Sequence, residues 1–117
     1  MPRYDWIDEF QRVWLPNLTD SALARLTELV LARSRFLIAG RFDAAVAQGC
    51  LATHAGWHHP QTTHMNAEAG IGWLTRVAGL NPATSRVVLA WDAEWPDNHL
   101  FREALTRELL AETVRRR

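Results

Sequence analysis

Apolar residues recur at helical spacing along most of this chain. Trp6, Phe10, Val13 and Trp14 fall at i, i+4, i+7 and i+8, an aromatic stripe for a first helix. Asp5, Asp8 and Glu9 lie in its first turns, where the helix dipole favours negative charge. Pro16 is expected to end it. Thr19, Asp20 and Ser21 offer N-caps for a second helix. Leu23, Leu26, Val30 and Leu37 mark one face of that helix, Leu29 and Phe36 widen it, and Gly40 supplies a stop.

A third helix is predicted from Arg41 or Phe42 to about His54, because Phe42, Val46, Gly49, Cys50 and Thr53 share one side. Cys50 then points inward. Gly56 to Thr63 has turn composition, and Pro60 disfavours helix at His59, so the segment reads as a loop. Asn66 is the N-cap expected for a fourth helix carrying Ala69, Trp73, Val77 and Leu80. Gly70 and Gly72 either weaken its first turns or admit another backbone closely.

Asn81-Pro82 reads as a cap followed by a first-turn proline. Arg86 to Trp91 fits a short buried helix. The alternative, a short strand near Val87–Trp91 in an α+β fold, lacks a visible pairing partner. Pro96-Asp97 is expected to open the last helix, which runs toward Arg115 with Phe101, Leu105 and Leu109 on one side. Glu103 to Arg107 and Glu112 to Arg116 are i, i+4 pairs that support it. Leu100, Leu110 and Val114 lie away from the Phe101 side, so this helix is either central to the bundle or gives one face to an oligomer. The pattern as a whole predicts an all-α bundle of about five helices in one domain covering residues 1–117.

Composition agrees with that picture. With 117 residues, 48% hydrophobic and 22% charged, the chain is long enough for one core without staples. Thirteen arginines balance thirteen acids and there is no lysine, so the basic excess of a dedicated nucleic-acid binder is missing. No window supplies a membrane span, and acids stand near the N-terminus where a signal peptide would be apolar. A lone cysteine, Cys50, fits a reducing compartment; the expected location is cytoplasmic.

Candidate chemistry concentrates in two segments. Cys50, His54, His58, His59 and His64 form a dense cluster, and a helix continued through it would project Cys50, His54 and His58 at i, i+4 and i+8. Such a set could hold zinc or another transition metal, with His64 as a further ligand. Against this, Gly56 and Pro60 break the helix, and no CxxC or HExxH is present. Cys50 with a neighbouring imidazole could also act as a nucleophile, although no oxyanion-binding segment accompanies it.

The second segment, Trp91-Asp92-Ala93-Glu94-Trp95, interleaves indoles with carboxylates and could hold a sugar or a cation. The duller reading puts one indole in the core and gives the acids to a helix cap. Trp57, inside the histidine segment, is the tryptophan least easily assigned to a core, and it joins Trp91, Asp92, Glu94 and Trp95 as a ligand or partner candidate. Arg25, Arg33, Arg35 and Arg41 give a positive bias that could meet phosphate, and Arg115-Arg116-Arg117 reads as a frayed end. Glu108 and Glu112 invite a metal reading but fit a solvated or interface-edge pair better.

The leading expectation is a small helical interaction protein, self-associating, that engages a protein partner through aromatic and arginine-bearing helical surfaces. An enzyme is less expected. The alternatives are a transition-metal protein built on the Cys50/His cluster and a small-molecule binder with a tryptophan-lined cavity.

Overall fold

A computed structural model of the protein describes residues 5–34, 36, 37 and 50–117. Its described part is all-α, with six helices, no strand and a radius of gyration of 12.8 Å. Val87–Trp91 belongs to a helix, which removes the α+β alternative.

Helix α1 runs through residues 5–17. Its middle turn, Phe10–Trp14, is a π-helix between the α-helical segments Asp5–Glu9 and Leu15–Asn17. Pro16 is carried in the last turn, and the chain leaves the helix one residue after Asn17, where Leu18 is extended. Trp6, Phe10 and Trp14 are buried, as the aromatic stripe requires.

Helix α2 is Asp20–Leu31, capped by Thr19, whose Oγ1 accepts from the Ala22 amide at 3.1 Å. It ends well before Gly40, which lies outside the described residues. The stop is made by Arg33 at φ 49°, with Ser34 N donating to Leu29 O at 2.9 Å and Arg33 N to Val30 O at 3.1 Å. This is the closure that glycine usually supplies after a helix, here formed by an arginine. Leu37 is buried beyond the helix rather than on its face.

Helix α3 is Leu51–Trp57, with Cys50 as its extended N-cap. The earlier part of the predicted third helix, from Arg41 to Gly49, lies outside the described residues. A 3-10 turn, Thr63–Glu68, leads into α4, which comprises Ala69–Gly72 and the π-helical turn Trp73–Val77. Asn66 is not the cap expected of it, since it sits at φ 52° inside the 3-10 segment. Helices α3 and α4 cross closely. A Cβ on Gly56 would lie 2.2 Å from Ala69 O, and one on Gly70 would lie 2.9 Å from Thr53 N. Glycine is therefore required on both sides of the crossing, and the second role foreseen for Gly70 is the one it plays.

Helix α5 is Arg86–Glu94 and α6 is His99–Arg115. Asn81 folds a turn, its Oδ1 accepting from Ala83 N at 2.9 Å, and Ser85 is the actual cap of α5. Asn98, not Pro96-Asp97, caps α6 through Phe101 N at 3.1 Å. Helix α6 packs Phe101, Leu105 and Leu109 inward against α2 and the centre of the bundle. Its end is anchored as well. Arg116 donates to Leu15 O at 2.7 Å and Leu18 O at 2.9 Å, and pairs with Asp20 at 2.8 Å and Glu112 at 2.7 Å. Arg116 therefore adds a donor at the end of α1, where Leu15 O also accepts Leu18 N at 3.3 Å, and is no frayed residue.

Candidate functional site

The histidine segment is distributed around α3 and the turn after it. Cys50 and His58 cap opposite ends of α3, so the straight i, i+4, i+8 array does not form. His54 is buried, and its Nε2 donates to Phe36 O at 2.8 Å; a carbonyl can only accept, which fixes the proton on Nε2 in the neutral ring. Its ring meets Trp57 edge-on at 5.0 Å. Burial pushes the His54 imidazole below its ordinary pKa against the opposing effect of the Phe36 bond, and the charges of Arg25 and His58 push the same way as burial. His58 is lowered too, by burial and then by Arg25.

His59 turns back on its own loop, its Nδ1 accepting from Gln61 N at 3.1 Å. His64 is exposed in the 3-10 turn, and Cys50 Sγ lies 3.5 Å from Thr53 Oγ1. Among the described residues no group of three or more His, Cys, Asp or Glu side chains is placed to hold a metal ion. The segment instead holds neighbouring chain in place. Thr19 Oγ1 donates to His58 O at 2.7 Å, Thr62 Oγ1 to Gly56 O at 2.8 Å, and Trp57 Nε1 to Asn66 O at 3.1 Å.

The tryptophan–acid segment is divided between core and surface. Trp91 and Trp95 are buried and stacked on each other at 4.4 Å, and Trp95 Nε1 donates to Leu37 O at 3.1 Å. Both indoles are thus buried inside the bundle. Asp92 is exposed, and Glu94 accepts from Asn98 Nδ2 at 2.7 Å. Of the five ligand or partner candidates in sequence, Glu94 alone lines a depression described below.

That depression belongs to α6. Its outward residues are Leu100, Glu103, Arg107, Leu110 and Val114, and the three apolar ones are 65%, 42% and 64% exposed in the order Leu100, Leu110, Val114. Helix α6 is therefore not enclosed by the bundle. On its α1/α5 side lies a cavity of about 380 Å³ with Trp6 and Phe101 as aromatic wall and Glu94 and Glu103 as carboxylates. On its α2 side lies an open groove of about 500 Å³ where Leu31 and Leu110 meet Arg33, Arg102 and Arg107. Glu103 and Arg107 border both hollows.

The charges on this face are incompletely spent. Glu103 meets His99 at 3.4 Å rather than Arg107, and Arg33 and Arg107 have no ion pair among the described residues. Arg102 Nε is buried without a hydrogen-bond partner, as is Trp73 Nε1 in the core. Glu108 and Glu112 serve the fold: Glu108 accepts from Gln11 at 2.7 Å, and buried Glu112 holds Arg115 and Arg116. Sequence reasoning found the apolar residues of the outer α6 face. It missed the hollows beside them, because these depend on how far α2, α1 and α5 stand from α6.

Compared with protein-family models, curated proteins and solved structures, the chain matches none. Its chemistry rests on its own geometry. No helix among the described residues is long and apolar enough to cross a membrane.

Proposed function

We propose that this chain is a small helical interaction protein that binds another protein through the outward face of α6. The observation that carries this reading is the alignment of Leu100, Leu110 and Val114 along the side of α6 opposite its packed Phe101, Leu105 and Leu109. Apolar residues scattered singly over a surface are ordinary; three along one seam, with a hollow on either side, make a ridge-and-groove surface that another helix fits. Arg33, Arg102 and Arg107 add polar specificity at its edge. Of the arginines singled out in sequence, Arg33 borders this face, and Trp6 and Phe101 supply its aromatic wall.

A photoreactive amino acid at exposed Ala111 tests the reading in the cell that makes the protein. The expected result is a covalent adduct of discrete mass with a protein, lost when Leu110→Asp is added. Absence of any protein adduct, or equal adducts from a control position at Ile71 on α4, contradicts it.

A further inference from the structure

The outward residues of α6 carry a pattern that selects their partner. Leu100, Glu103, Arg107, Leu110 and Val114 are spaced by three, four, three and four residues, the alternation of a coiled-coil seam. Leu100 and Leu110 are equidistant from position 105, and so are Glu103 and Arg107. A two-fold axis beside that position therefore maps leucine onto leucine and acid onto base. From this we infer that a second copy of this chain docks antiparallel on α6, Leu100 opposite the partner's Leu110 and Glu103 opposite the partner's Arg107. The inference rests on the reading of α6 as a docking face and adds the occupant and its register.

The two hollows have the form and charge this register needs. The α6 residues at the first include Leu100, Glu103, Ala104 and Arg107, at i, i+3, i+4 and i+7, the four-residue hole into which a facing side chain inserts. It also contains Glu94 and is walled by Trp6 and Phe101, so it suits the guanidinium of the partner's Arg107 through its carboxylates. The second hole is made by Glu103, Thr106, Arg107 and Leu110 at the same spacing, with Arg33 and Arg102 beside it. It suits the carboxylate of the partner's Glu103. Each hollow thus has a net charge opposite to the side chain that the register aims at it, Glu94 and Glu103 outweighing Arg107 in the first and Arg33, Arg102 and Arg107 outweighing Glu103 in the second.

A second copy is favoured over an unrelated chain because one set of residues supplies both the inserting side chains and the holes, which is the self-complementarity of a two-fold interface. Parallel pairing of the same helices would set glutamate against glutamate and arginine against arginine. Charge therefore selects the antiparallel arrangement.

The test is charge reversal with rescue, read by sedimentation velocity. Glu103→Arg and Arg107→Glu alone each place like charges together twice, and the dissociation constant should rise by about a hundredfold or more. An equimolar mixture of the two variants should restore a 1:1 dimer, and the double variant should dimerise with itself. Both positions are exposed, so circular dichroism should show an unchanged fold. A wild-type dimer insensitive to either reversal, or singles that lose dimerisation without rescue on mixing, overturns the register. A wild-type protein that stays monomeric overturns the second copy as occupant, and an Ala111 adduct with a different protein would then leave the docking reading standing.

Discussion

Glu9 on α1 accepts the Ser85 hydroxyl at 2.6 Å across 76 residues of sequence, and the same carboxylate takes Arg86 N at 3.0 Å and Val87 N at 3.1 Å. One side chain from α1 therefore closes the N-terminus of α5, where free amides and the helix dipole both favour an anion. It also accepts Trp14 Nε1 at 3.0 Å, so the cap is tied to the aromatic core. The cavity beside Trp6 and Glu94 depends on this α1–α5 junction.

Glu9→Gln should lower unfolding free energy by about 2 kcal/mol, because a neutral amide presents one acceptor oxygen where four donors converge on two. Urea unfolding with an unchanged m-value measures it. A loss below half a kilocalorie would mean that water satisfies those amides equally well.

Gly56→Ala should be among the most damaging small substitutions, at about 3 kcal/mol or more, since its Cβ would lie 2.2 Å from the backbone oxygen of Ala69. The obstacle is backbone and cannot rotate away. Thermal denaturation compares it with Ala67→Gly, at an exposed position in the 3-10 turn, where a much smaller change is expected.

Arg116→Ala should cost about 2–4 kcal/mol, because it leaves buried Glu112 without one of its cations and removes the guanidinium donor from the carbonyls of Leu15 and Leu18. Arg115→Ala is the contrast. Its side chain is 67% exposed, and the effect should stay within about 0.5 kcal/mol in chemical denaturation.

Acid should destabilise the fold in two stages of the same sign. The His54 pKa is lowered in the folded state by burial, so the unfolded chain binds the proton first as pH falls below the ordinary 6.5. Stability is full above that value and declines until pH passes the lower folded value; His58 adds to this in the same direction. For Glu112, burial raises the pKa, but hydrogen bonds and charge from Arg115 and Arg116 outweigh it and leave it below the ordinary 4.5. Its contribution is present above that value and disappears at lower pH. His54→Gln should flatten the upper stage of a stability–pH profile and leave the lower one; an unchanged upper stage contradicts the assignment.

The helices and their buried faces were largely legible because apolar period carries them: Trp6, Phe10 and Trp14, then Leu23, Leu26 and Val30, then Phe101, Leu105 and Leu109 all face inward as spaced. Boundaries were less so. Arg33 takes the left-handed conformation that a reader assigns to glycine, and the caps Ser85 and Asn98 stand a few residues beyond the prolines that advertised a helix start. Spacing brought His54 and His58 together, but φ and ψ at Cys50 and His58 place those two residues outside the helix. The candidate surface was half legible: the apolar residues of α6 were visible, whereas its holes need neighbouring helices at a distance that no local pattern encodes.

The central claim is that the outer face of α6 receives another copy of this chain. Sedimentation velocity over a concentration series, on wild type and on Leu110→Arg, addresses it most directly. The wild-type mass should rise from 13.3 kDa toward twice that value with concentration, while Leu110→Arg stays at the monomer mass. Both proteins remaining at 13.3 kDa throughout, or both dimerising alike, contradicts the claim.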